Sequence, residues 1–437
     1  MSEQVVEAEL TWTEDGFRPG VQLAVDAAGR IVAAGELGRV PSRRLPRRAL
    51  LPGFVNAHSH AFQRGLRGRG ERFPRGAGSF WTWRQAMYEL VAALDRQRLY
   101  ELSRQAFAEM LAAGITAVGE FHYLHHEDAA ARDHAFDEVV AAAARDAGIR
   151  LVLLATVYQQ GDVGRPLAGA QLRFATPDAA AFWRRVDRLA ARLDGPLQSL
   201  GVAAHSLRAV PPEVLAELQR QARQRGMVLH LHVEEQRREI EACVARYGRT
   251  PMELLNHHLE VDAAVTAVHC THTAAPEMAR FLAAGGNVCL CPLTEANLGD
   301  GIAGVPAMLA AGGRLCLGTD SNARIAMCEE MRWLEYVQRL AGERRGVCCD
   351  GDGRVDRALL ACATRHGARA LGLRAGRIAP GCWADLVAVD LDHPSLAGWD
   401  RDTLLAAFIL GGRDDAVAEV FVGGRRAWPA ARPAAGS

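Results

Sequence analysis

The stretch APEMARFLAAGGNVCLC, Ala275 to Cys291, holds one unit of the fold. Met278, Phe281 and Leu282 recur at helical spacing, and Gly285 and Gly286 end that pattern. A compact apolar run, Val288 to Cys291, follows at once. Spacing of three and four marks a helix with one buried face, glycine is the usual residue just past a helix end, and a short continuous apolar run reads as a strand covered on both sides.

Working outward, the same order of helix, glycine and strand recurs. Strand-like runs fall at 50–58, 115–121, 149–157, 199–206, 227–233, 264–270, 286–291 and 314–320. Helical stretches such as YELSRQAFAEMLAAG, DEVVAAAARDAG and PPEVLAELQRQARQRG lie between them. Strands alternating with helices in this number predict an α/β chain closed as a (β/α)8 TIM barrel. A doubly wound open sheet is the structural rival, but no G-x-G-x-x-G follows the first strand. The ends differ. Residues 1–50 and 376–437 carry alternating residues and glycine turns without helices between the strands. They predict a small β-sandwich domain built from both termini, with a catalytic barrel at 51–375 inserted. VPSRRLPRR is expected to link the two, and PAARPAAGS to be a disordered tail.

Composition narrows the chemistry. Of the 437 residues 49% are hydrophobic and 23% charged, and the 51 basic residues balance 51 acidic ones. No nucleic acid or membrane surface is implied as a partner by that balance. Every basic residue is arginine, so no lysine is present to form a Schiff base or complete a phosphate-binding loop. Ten scattered cysteines lack a C-x-x-C pair and read as reduced, mostly buried thiols of a cytoplasmic protein. MSEQVVEAEL lacks a basic-then-apolar leader, and no apolar run reaches membrane-spanning length.

Barrel enzymes draw their reactive groups from the C-terminal strand ends. Here the first strand ends on His58 and His60, the fourth on His205 and the fifth on His230 and His232 with Glu234 and Glu235 following. The sixth ends on His269 with His272 beyond it, and the eighth on Asp320. Residues two apart share a strand face, so His58 and His60 can point inward together. Three imidazoles and one carboxylate suit one divalent metal ion, zinc first, with a position left open for water. Zinc would lower the pKa of such a water and make a nucleophile near neutral pH. A nearby carboxylate is then needed to move protons, and a further imidazole to stabilise developing charge.

PGFVNAHSH, HLHVEE, VHCTH and GTDSN, in that order within a split β domain, resemble the amidohydrolase superfamily, as does APGCWADLVAVD. Two-metal members often bridge their ions with a carboxylated lysine. This chain has none, so the resemblance implies the mononuclear, deaminase-like branch. It also implies the metal set His58, His60, His232 and Asp320, choosing His232 over His230. Glu235, His269 and Asp320 become the catalytic set, with His269 chosen over His272.

HSHAFQRGLRG, SFWTWRQAMY, GEFHYLHH, HSLRAV, CPLTEANLGDG and GTDSNARIAMCEEMRWLEY resemble the N-formimino-L-glutamate deiminases more narrowly. That likeness implies hydrolysis of the formimino carbon to N-formyl-L-glutamate and ammonia in histidine degradation, by a homodimer. Arg84 and Arg208 would take the substrate carboxylates, with Gln63, Tyr123 and His205 as further contacts. Trp81 and Trp83 read as packing residues. The rival readings are a nucleobase or nucleoside deaminase on the same barrel, and a non-catalytic assembly protein on that scaffold.

Overall fold

The computed structural model describes residues 3–71, 73, 78–130 and 132–429. Eight parallel strands form the barrel wall: β1 (Phe54–Ser59), β2 (Ile115–His122), β3 (Arg150–Val157), β4 (Gln198–Ser206), β5 (Leu229–Val233), β6 (Val265–His269), β7 (Asn287–Leu290) and β8 (Arg314–Leu317). Each pairs with its sequence neighbour, from β1 round to β8. The ring closes just past β8, where Ser59 bridges Asp320. There the His60 amide donates to the Asp320 carbonyl at 2.9 Å, and the Asp320 amide to the His58 carbonyl at 3.0 Å. Every residue of β2 and β3 is buried. That is why these runs read as continuously apolar, with helices outside and packed side chains within.

The terminal strands make one eight-stranded sheet. Gln4–Thr13, Gly16–Arg18, Gln22–Val25, Ile31–Gly35 and Arg43–Pro52 come from the N-terminal side, and Leu386–Asp390, Val417–Val422 and Arg425–Trp428 from the C-terminal side. Arg43–Pro52 lies at the junction, parallel to Gln4–Thr13 and antiparallel to Leu386–Asp390. VPSRRLPRR, expected as a linker, therefore falls largely inside a strand. The expected first strand at 50–58 is divided. Residues 50–52 belong to the terminal sheet, and the barrel begins at Phe54. Gly53 stands at the break, where a Cβ would lie 2.2 Å from the Thr116 Oγ1. Between Asp390 and Val417 the chain also forms short helical turns, including Leu404–Ala406, where none was expected. They carry Phe408, whose ring stacks on Phe54 of β1 at 6.4 Å. The tail PAARPAAGS lies outside the described residues beyond Pro429.

The sheet and the barrel share a buried ion pair. Arg150 at the start of β3 donates from Nε and Nη2 to both oxygens of Asp385, at 2.7 and 2.9 Å. Arg150 also lies 4.0 Å over the Trp383 ring. All ten cysteines are free, and only Cys349 and Cys382 are not fully buried. Among the described residues, no helix is long and apolar enough to cross a membrane.

Candidate metal centre and active site

The strand ends bring His58, His60, His232 and Asp320 together, all of them buried. The His232 Nε2 lies 3.2 Å from the His58 Nε2 and 3.4 Å from the His60 Nε2. The Asp320 Oδ1 lies 3.4 and 3.2 Å from the same two atoms, in that order. Ligands about 2.0–2.1 Å from a tetrahedral ion stand about 3.3–3.4 Å apart, so these four atoms have the spacing of a coordination shell.

Hydrogen bonding supports the same conclusion. The His60 Nδ1 donates to the Phe121 carbonyl at 2.8 Å, and the His232 Nδ1 to the His205 carbonyl at 2.7 Å. Those bonds fix the tautomer and leave each Nε2 with a lone pair facing the shared centre. Burial holds all three imidazoles below their usual pKa, His60 at about 3, which keeps them neutral as ligands must be. Converging lone pairs beside a carboxylate fit a divalent cation.

A second histidine group is built differently. His125 and His122 stand 2.8 and 3.3 Å from the Asp137 carboxylate, but the Arg185 guanidinium already lies 3.4 Å from its other oxygen. That carboxylate has its counter-charge.

His269 closes β6 beside the centre. Its Nε2 is 3.8 Å from Asp320 and 4.0 Å from Glu235, and its Nδ1 is 3.2 Å from Glu295. Burial opposes its charge, but Glu235, Glu295 and Asp320 together raise its pKa to about 10. The imidazolium is the form these carboxylates hold. Burial raises Glu235, with His269 and Arg208 pulling the other way. Burial also works against ionising Asp320, but the hydrogen bond from His58 and the cationic His269 beside it hold it well below the usual carboxylate range. His269 and Asp320 both occupy the left-handed region, at φ 70° and 42°. Each such residue costs about 1–3 kcal/mol, and such strain is held in place by its surroundings at working sites.

A pocket opens over this group. Gln63, Arg84, Tyr123, His205, Arg208, Glu235, His269 and Asp320 all face it, with His60 and His232. His58 lies behind them. Gln63 donates to the Tyr123 hydroxyl at 2.8 Å, and its own carbonyl oxygen has no partner. Arg84, on the helix Phe80–Ala93, donates to the Gly161 carbonyl at 3.2 Å. Arg208 sits just past β4, 3.6 Å from Glu235 and 3.8 Å from Glu239. His230 bonds outward to the Ala370 carbonyl at 2.9 Å, away from the centre. Trp83, expected in packing, is on the cavity wall, as are Tyr158 and Phe174, which sequence reasoning did not single out. Glu295 was also passed over, although CPLTEANLGDG contains it. It is one acidic residue in the first turn of the short helix Pro292–Leu298, which spacing alone does not distinguish.

Comparison with known proteins agrees with this geometry. Residues 49–427 match the model of the amidohydrolase family. Formimidoylglutamate deiminase of Pseudomonas aeruginosa is 38% identical over 96% of this chain and 93% of its own. A crystal structure of an amidohydrolase from Brucella melitensis superimposes with a TM-score of 0.88 at 35% identity, covering 97% of this chain and 94% of that one. An adenosine deaminase from Xanthomonas campestris, solved with bound zinc, gives a TM-score of 0.82 at 26% identity, over 97% and 92% of the two chains. Barrel, terminal sheet, donor set and relatives agree: the chain is a hydrolytic enzyme for C–N bonds and belongs to the amidohydrolase family.

Proposed function

We propose that this enzyme hydrolyses N-formimino-L-glutamate to N-formyl-L-glutamate and ammonia. The observation that carries the reading is one cavity with the cation-binding tetrad at its floor and two arginines, Arg84 and Arg208, on its wall. A dicarboxylate substrate calls for two such planar forks. The 38% identity to a formimidoylglutamate deiminase supports it. His58, His60, His232 and Asp320 would hold one divalent ion, zinc in our reading. When bound, such an ion lowers the pKa of a water and polarises the attacked centre.

The chain's own residues then divide the work. Arg84 and Arg208 hold the carboxylates, while Gln63, Tyr123 and His205 orient the formimino end. Asp320, ionised, accepts a proton as water adds to the formimino carbon. Glu235, raised by burial, carries a proton for the nitrogen that leaves as ammonia. His269, held as a cation, offsets the negative charge that develops beside it. We place the enzyme in histidine degradation in the cytoplasm as a homodimer. Light scattering on the purified protein reads the oligomer, and cell fractionation reads the compartment.

A second reading, a nucleoside or nucleobase deaminase, draws on the Xanthomonas relative. An ammonia-release panel separates them. Formiminoglutamate should turn over, and guanine, cytosine and adenosine should not. The reverse pattern would sink the proposed substrate.

A further inference from the structure

Glu239 is a carboxylate without an evident place in that chemistry. It sits in the helix Arg237–Tyr247, 1% exposed, and it is not on the cavity wall. Neither of its oxygens has a hydrogen-bond partner. Among the described ion pairs it has one partner, Arg208, whose Nε stands 3.8 Å from its Oε1. That Nε also lacks a hydrogen bond. Burial pushes Glu239 up to about 7, and the Arg208 charge is the main influence keeping it ionised. An unbonded buried carboxylate is costly, and such departures from ordinary packing concentrate at functional sites.

We propose that Glu239 is a positioning residue: it holds the Arg208 guanidinium at the cavity wall, ready for a substrate carboxylate, and never touches the substrate. This role presupposes N-formimino-L-glutamate as the substrate. Arg208 lies between two carboxylates, with Glu235 at 3.6 Å in front and Glu239 behind. Both distances exceed a hydrogen bond, so charge holds the guanidinium in place while donors remain free. When Glu235 carries the proton it is to deliver, it no longer balances Arg208. Glu239 is then the remaining anion in contact with it. The substrate carboxylate can take the front of the fork while Glu239 keeps the back, which is how a residue one layer out fixes the aim of one in contact.

Glu239→Gln keeps size and removes charge, and Glu239→Asp keeps charge. Steady-state rates are measured on N-formimino-L-glutamate and on two analogues, each lacking one carboxylate, N-formiminoglycine and 4-(formimidoylamino)butyrate. E239Q should raise KM for the full substrate about tenfold to a hundredfold, the usual reach of a supporting partner, with kcat little changed. E239D should recover part of that loss. On the analogue missing the carboxylate that Arg208 holds, E239Q and the wild type should match. An unchanged KM, or an equal loss on both analogues, would overturn the assignment while the substrate reading stands. A wild-type enzyme inert toward N-formimino-L-glutamate would overturn the substrate reading and this proposal with it.

Discussion

Glu235 illustrates how position sets chemistry at the scale of one residue. It stands three residues past a histidine of the metal tetrad, buried between a guanidinium and an imidazolium. Burial raises its pKa, and a general acid works only while protonated. Activity should therefore fall as pH climbs past that raised value. Glu235→Ala should lose about 10²–10⁴ in kcat, the span of general acid–base catalysis, and lose the alkaline limb with it. Metal analysis should find the ion retained, because Glu235 is not among the four donors. Wild-type-like turnover in the variant would remove Glu235 from the role. That His58, His60 and Asp320 would meet at one end was legible because β strands alternate and barrels expose their C-terminal ends, whereas the choice of His232 over His230 came from the family resemblance. Glu239 and Glu295 were not legible. Each is an acidic residue among many, and a sequence does not print which one loses its water on folding.

At the scale of elements, the seam between β1 and β8 governs the site. Asn322 donates to the Ser59 Oγ at 3.1 Å and to the His60 carbonyl at 3.0 Å. It accepts from the Thr319 hydroxyl at 2.7 Å, and that hydroxyl accepts from Asn56 at 2.6 Å. One buried network thus ties the strand carrying His58, and His60 just past its end, to the turn carrying Asp320. Asn322→Ala should cost about 2–4 kcal/mol, because partners are left buried and unbonded. It should also weaken metal binding. Denaturant unfolding and a metal titration read both effects, and a variant matching the wild type in each would show that the seam does not seat the ligands. The eight strands were readable from their apolar runs and glycine stops. The division at Gly53 was not, because Leu50–Phe54 is apolar throughout and the close approach of Thr116 cannot be read from it.

Across the whole molecule, sheet and barrel are joined through Arg150 and Asp385, which are 3% and 1% exposed. Asp385 also accepts from the Gly423 amide at 2.7 Å, so one carboxylate links the barrel to two strands of the sheet. Asp385→Ala would leave a buried guanidinium without its anion, at a cost of about 3–5 kcal/mol. Turnover per folded molecule should stay the same, since the pair lies away from the cavity. Thermal unfolding followed by activity and by tryptophan fluorescence tests this, and an unshifted midpoint would show that the pair does not join the two parts. That both termini build one β domain was readable from their shared pattern of alternation and glycine. The order of its strands was not, because pairing depends on which ends the closed barrel brings together.

The placement of Arg43–Pro52 has a consequence for the growing chain on the ribosome. Its partner Leu386–Asp390 emerges only after the entire barrel has been translated. At about 5–20 residues per second that interval lasts tens of seconds, during which the strand offers a bare edge. The residues it leaves uncovered are Arg48, Ala49, Leu50, Leu51 and Pro52. A charge at one end of that edge and a proline at the other, which cannot donate to a new ladder, discourage two nascent copies from zipping together there.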